Sequence, residues 1–256
     1  MRFKLKLSLL NRNQNILPVN YQYELSSWIY KVINQSDPDF ADWLHNKGFS
    51  DDKKQFRLFT FSNFMIPQRE IIKDRLIINS EQFDLIISTL PEETIQHFIT
   101  GIFRDREFTL SDRISSVGFK VNSIEALPVP NFTNEMSFKA ISPIFVSGKV
   151  ESHKYAQHHS PLFEKYISLL INNLKTKIRV FTGEESHFKV EDTKIKLFGQ
   201  PKQKGITIKV GTPQQSKLVG YQYSFRIKAD AELLRMGYYC GFGEKNSLGF
   251  GCCEII

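Results

Sequence analysis

Twice along the chain the same order of elements recurs: strand, helix, two strands, helix, strand. That order, the switching between period-2 and helical apolar spacing, and a Pro-Val-Pro-Asn break near the middle predict an α+β chain. The expected architecture is two tandem ferredoxin-like (βαββαβ) domains, over residues 1–130 and 131–256.

The first strand spans about residues 2–10, where Phe3, Leu5, Leu7 and Leu9 share one face. A helix over about 19–34 follows, with Leu25, Trp28, Ile29, Val32 and Ile33 as its apolar stripe. Asp37 and Pro38 read as the N-cap and first turn of a short helix to about 46, ended by Gly48. Its inward residues are Phe40, Trp43 and Leu44. Strands are expected at 55–66 and 71–89, a helix at 91–104 and a closing strand at 113–127.

The second half opens with a strand at 136–147. A helix at 160–176 carries Leu162, Phe163, Tyr166, Ile167 and Leu170 inward. Strands are expected at 178–199 and 205–228, a helix behind Asp230 to about 240, and a last strand at 249–256. The repetition is of elements only, with no residue-level repeat.

The chain has 256 residues, 41% hydrophobic, enough for genuine cores. No run approaches the length of a membrane span, so no membrane partner is expected. The N-terminal alternation of basic and apolar residues reads as a strand, not a signal peptide. Cys240, Cys252 and Cys253 do not form a disulfide framework, which makes a reducing, cytoplasmic location the expectation.

The net charge of +7 is uneven. Residues 1–130 hold 16 basic and 16 acidic side chains, whereas residues 131–256 hold 18 and 11. Within 193–229 there are eight basic residues and no acid, among them Lys202, Lys204 and Lys209. A solvated face is the plain explanation of a basic run. Its confinement to one half favours an anionic partner, nucleic acid first.

The most distinctive stretch is the C-terminal one. Gly241-Phe242-Gly243 and Gly249-Phe250-Gly251 flank a polar insert containing Lys245, Asn246 and Ser247. Glycines permit positive φ and close backbone approach, so such a loop can offer bare N–H groups to phosphate, with Lys245 as a point charge. A tight helix-to-strand turn is the structural alternative. No Gly-Lys-Ser/Thr follows the glycines, so this is not a nucleotide P-loop.

With the doubled triplet after a helix and before the last strand, the chain resembles the CRISPR-associated repeat-processing endoribonucleases, the sixth CRISPR-associated protein family. The Met-Arg-Phe start, the helix from Tyr21 to Ile33, Leu44-His45, Arg57-Leu58-Phe59-Thr60-Phe61-Ser62 and Ser142-Pro143-Ile144 fit as well. The resemblance runs nearly end to end. It implies two ferredoxin-like (RRM-like) domains side by side and a metal- and cofactor-independent cut within the repeat of a precursor CRISPR RNA. It also implies a catalytic set that falls on Tyr30, His45 and Arg57. The third position departs from a common Lys, and Lys53 and Lys54 lie nearby. The implied partners are precursor and mature guide RNA and an effector complex, with the protein a monomer or homodimer.

The residues themselves allow that chemistry. His45 lies about 140° round its helix from Phe40, and Tyr30 the same angle from Leu25, both off the apolar stripes. RNA cleavage by its own 2′-OH needs a base, an acid and a cation. An imidazole serves as acid or base, and Arg57 or Lys54 supplies charge. The alternative for His45 is a surface histidine favoured by a helix C-terminus, and for Tyr30 an interdomain aromatic. His153, His158 and His159 lack metal-ligand spacing, and with His97 and His187 they read as structural or solvent-facing. The rival function is a catalytically silent protein that holds repeat RNA in an effector complex; an RNA-recognition module outside CRISPR biology is a second rival.

Overall fold

A computed structural model describes residues 1–51, 54–149 and 156–256. The first half is built on a five-stranded antiparallel sheet of β1 (Arg2–Leu9), β2 (Phe59–Phe61), β3 (Phe83–Thr89), β4 (Glu107–Ser111) and β5 (Ser116–Ala126). Their order is β2-β3-β1-β5-β4. Helices α1 (Gln22–Ser36) and α3 (Glu92–Arg104) pack together on this layer, joined by α2 (Pro38–Asn46). The second half has a four-stranded sheet, β6 (Glu135–Ala140), β7 (Lys194–Ile208), β8 (Ser216–Lys228) and β9 (Cys253–Ile255), in the order β7-β8-β6-β9. Helices α4 (Tyr166–Thr182) and α5 (Ala231–Cys240) cover one face. Setting aside the added edge strand β4, each half has the second–third–first–fourth strand order of a ferredoxin-like domain.

Local chemistry explains most boundaries. Asp37 caps α2 by accepting from Phe40 N at 2.9 Å, and Asp230 caps α5 by accepting from Glu232 N at 2.8 Å. Gly48, at φ 58°, ends α2.

Several expected spans differ. The 55–66 strand is two short pieces, Gln55–Phe56 and β2, broken at Leu58, whose φ is 51°. The 71–89 strand divides at Lys73 (φ 55°). Arg69–Ile72 and Arg75–Ile78 form a hairpin that pairs with Ile16–Pro18, and β3 starts only at Phe83. Strand β4 was not anticipated; its five residues alternate too briefly to stand out. The strand expected at 136–147 stops at Ala140.

The helix expected at 160–176 begins at Tyr166 and runs to Thr182, so Leu162 is exposed rather than inward, and 178–182 is helix rather than strand. Ile178-Arg179-Val180-Phe181 mimics strand alternation, but tertiary packing of the stripe Tyr166, Leu170, Leu174, Lys177 keeps the helix going to Gly183. Strand β7 continues past an irregularity between Phe198 and Lys202. The last strand is confined to Cys253–Ile255 because the loop ahead of it is irregular.

The two halves share buried contacts. Phe56, Leu58 and Leu90 belong to the second half's core. Arg2, 3% exposed, donates to Cys253 O at 2.6 Å and lies 4.3 Å over the Tyr238 ring. A cleft of about 670 Å³ opens between the halves, lined among others by Tyr21, Arg69, Lys139, Lys204 and Gln222.

Candidate functional site

Tyr30 lies in the C-terminal half of α1 and His45 next to the end of α2. Their rings meet edge to face, 5.1 Å between centroids at 84°. Tyr30 also rests on Phe59 at 5.6 Å. It is therefore half-buried against the core rather than turned away from it, whereas His45 is exposed.

Asn46 Nδ2 donates to Asp42 Oδ1 at 2.7 Å, which turns Asn46 Oδ1 towards His45 Nδ1, 3.2 Å away. An acceptor at Nδ1 keeps the proton on that nitrogen and leaves Nε2 available for proton transfer.

Arg57 comes from the segment before β2. Its guanidinium donates to His45 O, to Lys47 O at 3.2 Å and to Gln55 Oε1 at 3.3 Å. It thus satisfies carbonyls at the end of α2 that have no helical partner. The next residue, Leu58, holds a left-handed conformation costly for a leucine. Leu58 enters the second core and Phe59 the first, so the strained turn leaves Arg57 between them.

Burial raises the pKa of the Tyr30 hydroxyl, opposed by hydrogen bonds from Ser247 and Arg57 and by the Arg57 charge. Tyr30 is accordingly a neutral hydroxyl that donates hydrogen bonds, not a phenolate base. Lys54 is exposed, and its backbone N–H donates to Asp51 Oδ1 at 2.7 Å. Lys53 lies outside the described residues.

The glycine-rich loop is built differently from the exposed cradle expected. Gly241, Gly243, Gly249 and Gly251 all have positive φ, and all are buried. Backbone N–H groups of Phe242, Glu244, Gly249 and Gly251 donate to carbonyls of Gly251, Phe145, Asn246 and Pro143. A Cβ on Gly243 would stand 2.3 Å from Phe145 O, and one on Gly251 2.1 Å from Phe242 O.

Asn246 is buried too, its amide donating to Phe242 O and Phe250 O. Thr60 of β2 donates to Phe250 O at 2.8 Å, and Ser26 of α1 to Ser247 O at 2.6 Å. The loop is thereby wedged between the halves. Two of its polar residues reach outward: Lys245, exposed and left-handed at φ 59°, and Ser247, which meets Tyr30.

Lys202 and Lys204 are exposed one strand period apart on β7, and Lys204 also lines the cleft. Lys209 is exposed just past the strand. Nearer the start of β7, Lys194 stands opposite Lys228 and Lys196 opposite Arg226. Like charges directly across a ladder repel, and an anion would relieve that repulsion.

The three cysteines are free and buried. Burial pushes the Cys240 thiol up to about 12 and Cys252 up to about 11. Among the described residues no group of three or more His, Cys, Asp or Glu could hold a metal ion; His153 lies outside them. His158 accepts from Val219 N, His159 stacks on Phe163 at 4.1 Å, and His97 contacts Ser36. Among the described residues no helix is long and apolar enough to cross a membrane.

One residue beneath the loop escaped the sequence reading. Lys177 of α4 is 1% exposed and donates to Gly241 O, Gly243 O and Asn246 Oδ1 at 2.6, 2.8 and 2.7 Å. The available signal was a lysine on an apolar stripe, three residues after Leu174.

Two family models match: CRISPR-associated protein Cas6, N-terminal, over residues 16–125, and CRISPR associated protein Cas6, C-terminal, over residues 127–255. A CRISPR-associated endoribonuclease Cas6 1 of Methanocaldococcus jannaschii is 32% identical over 97% of this chain and 91% of its own length. A CRISPR-associated endoribonuclease-like protein Cas6nc of Pyrococcus horikoshii is 31% identical, with all of both chains covered. The solved structure described as a characterization of a Cas6-related gene from Pyrococcus furiosus has 31% identity and a TM-score of 0.85, covering 100% of this chain and 98% of that one.

Proposed function

Because this chain belongs to the Cas6 family, we propose that it is an endoribonuclease that cuts precursor CRISPR RNA within the repeat, with Tyr30, His45 and Arg57 as its cleavage site. The observation that carries the site is a convergence. Tyr30 from α1, His45 from α2, Arg57 from the turn before β2 and Ser247 from the far end of the chain meet around one hydroxyl and one imidazole.

The reaction follows from the substrate. The ribose 2′-oxygen bonds to the adjacent phosphorus as its proton passes to a base. The bond from phosphorus to the 5′-oxygen breaks, and that oxygen takes a proton from an acid. The products are a 2′,3′-cyclic phosphate and a 5′-OH. His45, exposed and with its Nδ1 engaged by Asn46, carries one of these protons. Tyr30 donates a hydrogen bond that orients the nucleophile or a phosphate oxygen. The Arg57 guanidinium, beside both, offsets charge on the phosphorane, with Lys54 as the alternative cation. Lys202, Lys204, Lys209, Lys245 and Ser247 hold the RNA backbone. An RNA substrate and three free thiols accord with a cytoplasmic location.

A repeat RNA with a 2′-deoxy nucleotide just 5′ to the scissile phosphate, incubated with the protein in EDTA, tests the chemistry. The unmodified RNA is expected to be cut and the deoxy RNA to stay whole. Cleavage of the deoxy RNA, or a strict need for divalent metal, would discard the mechanism. The second reading is a catalytically silent protein that holds guide RNA in an effector complex. RNA bound tightly and never cut would establish it.

A further inference from the structure

A lysine ammonium has three donors and no acceptor, and Lys177 spends all three on the glycine-rich loop. Burial is the main influence on this amine and lowers its pKa to about 7. Cys240 on α5 and Glu244 in the loop favour the charge, and Lys54 opposes it. Placing a cation in such a position is expensive, and removing it alone would leave three buried acceptors without a donor.

What the ammonium provides is geometry. Asn246, which accepts from Lys177, itself donates to Phe242 O and Phe250 O, so the two ends of the loop are drawn onto one amide. The next residue is Ser247. Its carbonyl accepts from Ser26 of α1 at 2.6 Å, and because Ser26 stands one helical turn before Tyr30 on the same helix, this contact sets Ser247 beside the Tyr30 hydroxyl, whose proton affinity it lowers. A continuous polar path therefore runs from the interior of the second half to Tyr30 in the first.

We propose that Lys177 is a positioning residue for RNA cleavage: its ammonium holds the glycine-rich loop in the form that sets Ser247 against the Tyr30 hydroxyl. The proposal rests on the reading of Tyr30 and His45 as the cleavage site.

Two variants of the full chain test it, Lys177→Met and Ser247→Ala. The second cuts the last link without disturbing the buried lysine. 3-Fluorotyrosine placed at position 30 reports on the hydroxyl by ¹⁹F NMR, with or without RNA cleavage. Lys177→Met is expected to shift that resonance and to slow single-turnover cleavage about tenfold, as small misplacements at a reacting centre do, with RNA affinity within about twofold. In a Tyr30→Phe background Lys177→Met should add no further loss, since both act through one hydroxyl. A folded Lys177→Met protein with an unmoved resonance, or the same tenfold loss without Tyr30's hydroxyl, overturns the proposal. Should Lys177→Met not fold, Ser247→Ala decides: a shifted resonance and slower cleavage sustain the proposal, and an unmoved resonance ends it. Wild-type cleavage by Tyr30→Phe would remove the site reading instead, while the resonance still tests the positioning.

Discussion

The glycine-rich loop and the Tyr30–His45 pair touch through Ser247, yet they are built on opposite principles. In the loop many polar groups are spent: the Gly249 and Gly251 amides on neighbouring carbonyls, the Asn246 amide on two more, the Lys177 ammonium on three acceptors. At the pair, His45 is exposed and its imidazole keeps Nε2 free of the Asn46 contact. A group already hydrogen-bonded has little left for a ligand. On the proposed reading the buried part of the motif is scaffold, Lys245 and Ser247 are its RNA-facing residues, and the inconspicuous histidine is the reactive surface.

The largest expected effect tests the scaffold. Gly251→Val puts a Cβ 2.1 Å from Phe242 O at a φ of 80°. Left-handed strain and overpacking together should cost about 4 kcal/mol, read as a lowered urea midpoint. A Gly251→Val protein as stable as the parent would mean that the loop is not wedged as described.

Next comes the reactive side. His45→Ala should slow single-turnover cleavage roughly 10²-fold, the usual loss for a general acid or base, with melting temperature and RNA affinity little changed. Cleavage at the parent rate would move the chemistry elsewhere.

The dryness of the loop has its own signature. Cys240 and Cys252 flank it, and burial raises both thiol pKa values above their usual 9.0, to about 12 and about 11. The folded chain therefore holds protons that the unfolded chain releases above pH 9. That stability is complete below pH 9 and is lost as pH climbs through 11 and 12. Cys252 alone should contribute about 2–3 kcal/mol, measured by urea unfolding at pH 8 and pH 11. A flat profile would indicate that water reaches the loop.

The smallest effects concern RNA affinity. Neutralising Lys202, Lys204 and Lys209 together should lower the salt slope of binding by about 2, at roughly 0.7 per single-strand phosphate contact. Lys245→Ala should lower it by less than 1. Equal slopes for parent and triple variant would leave the basic run as a solvated face.

Where pattern and packing agreed, the sequence was a good guide. Asp37 and Asp230 cap the helices they were expected to cap. The stripe of α1 faces the core, and both sheets follow the expected element order. Errors arose where tertiary contacts overrode local preference. The β-branched end of α4 looks like a strand until Tyr166, Leu170, Leu174 and Lys177 are seen on one buried face. Tyr30 was read by angle alone; Phe59, which half-buries it, lies 29 residues away and in another element.

The sequence by itself determined the order of elements and the charge asymmetry, because periodicity, caps and composition are properties of neighbours in the chain, while the candidates Tyr30, His45 and Arg57 came from the family resemblance at those positions. Only the tertiary structure decided what those candidates touch. Lys177 reaches loop carbonyls 64 and 66 positions away, and Ser26 reaches Ser247 across 221. Hydrogen-bond satisfaction depends on which distant groups fold into reach. For that reason a glycine-rich loop that looks open to phosphate in one dimension has its Phe242, Glu244, Gly249 and Gly251 amides already engaged within the fold.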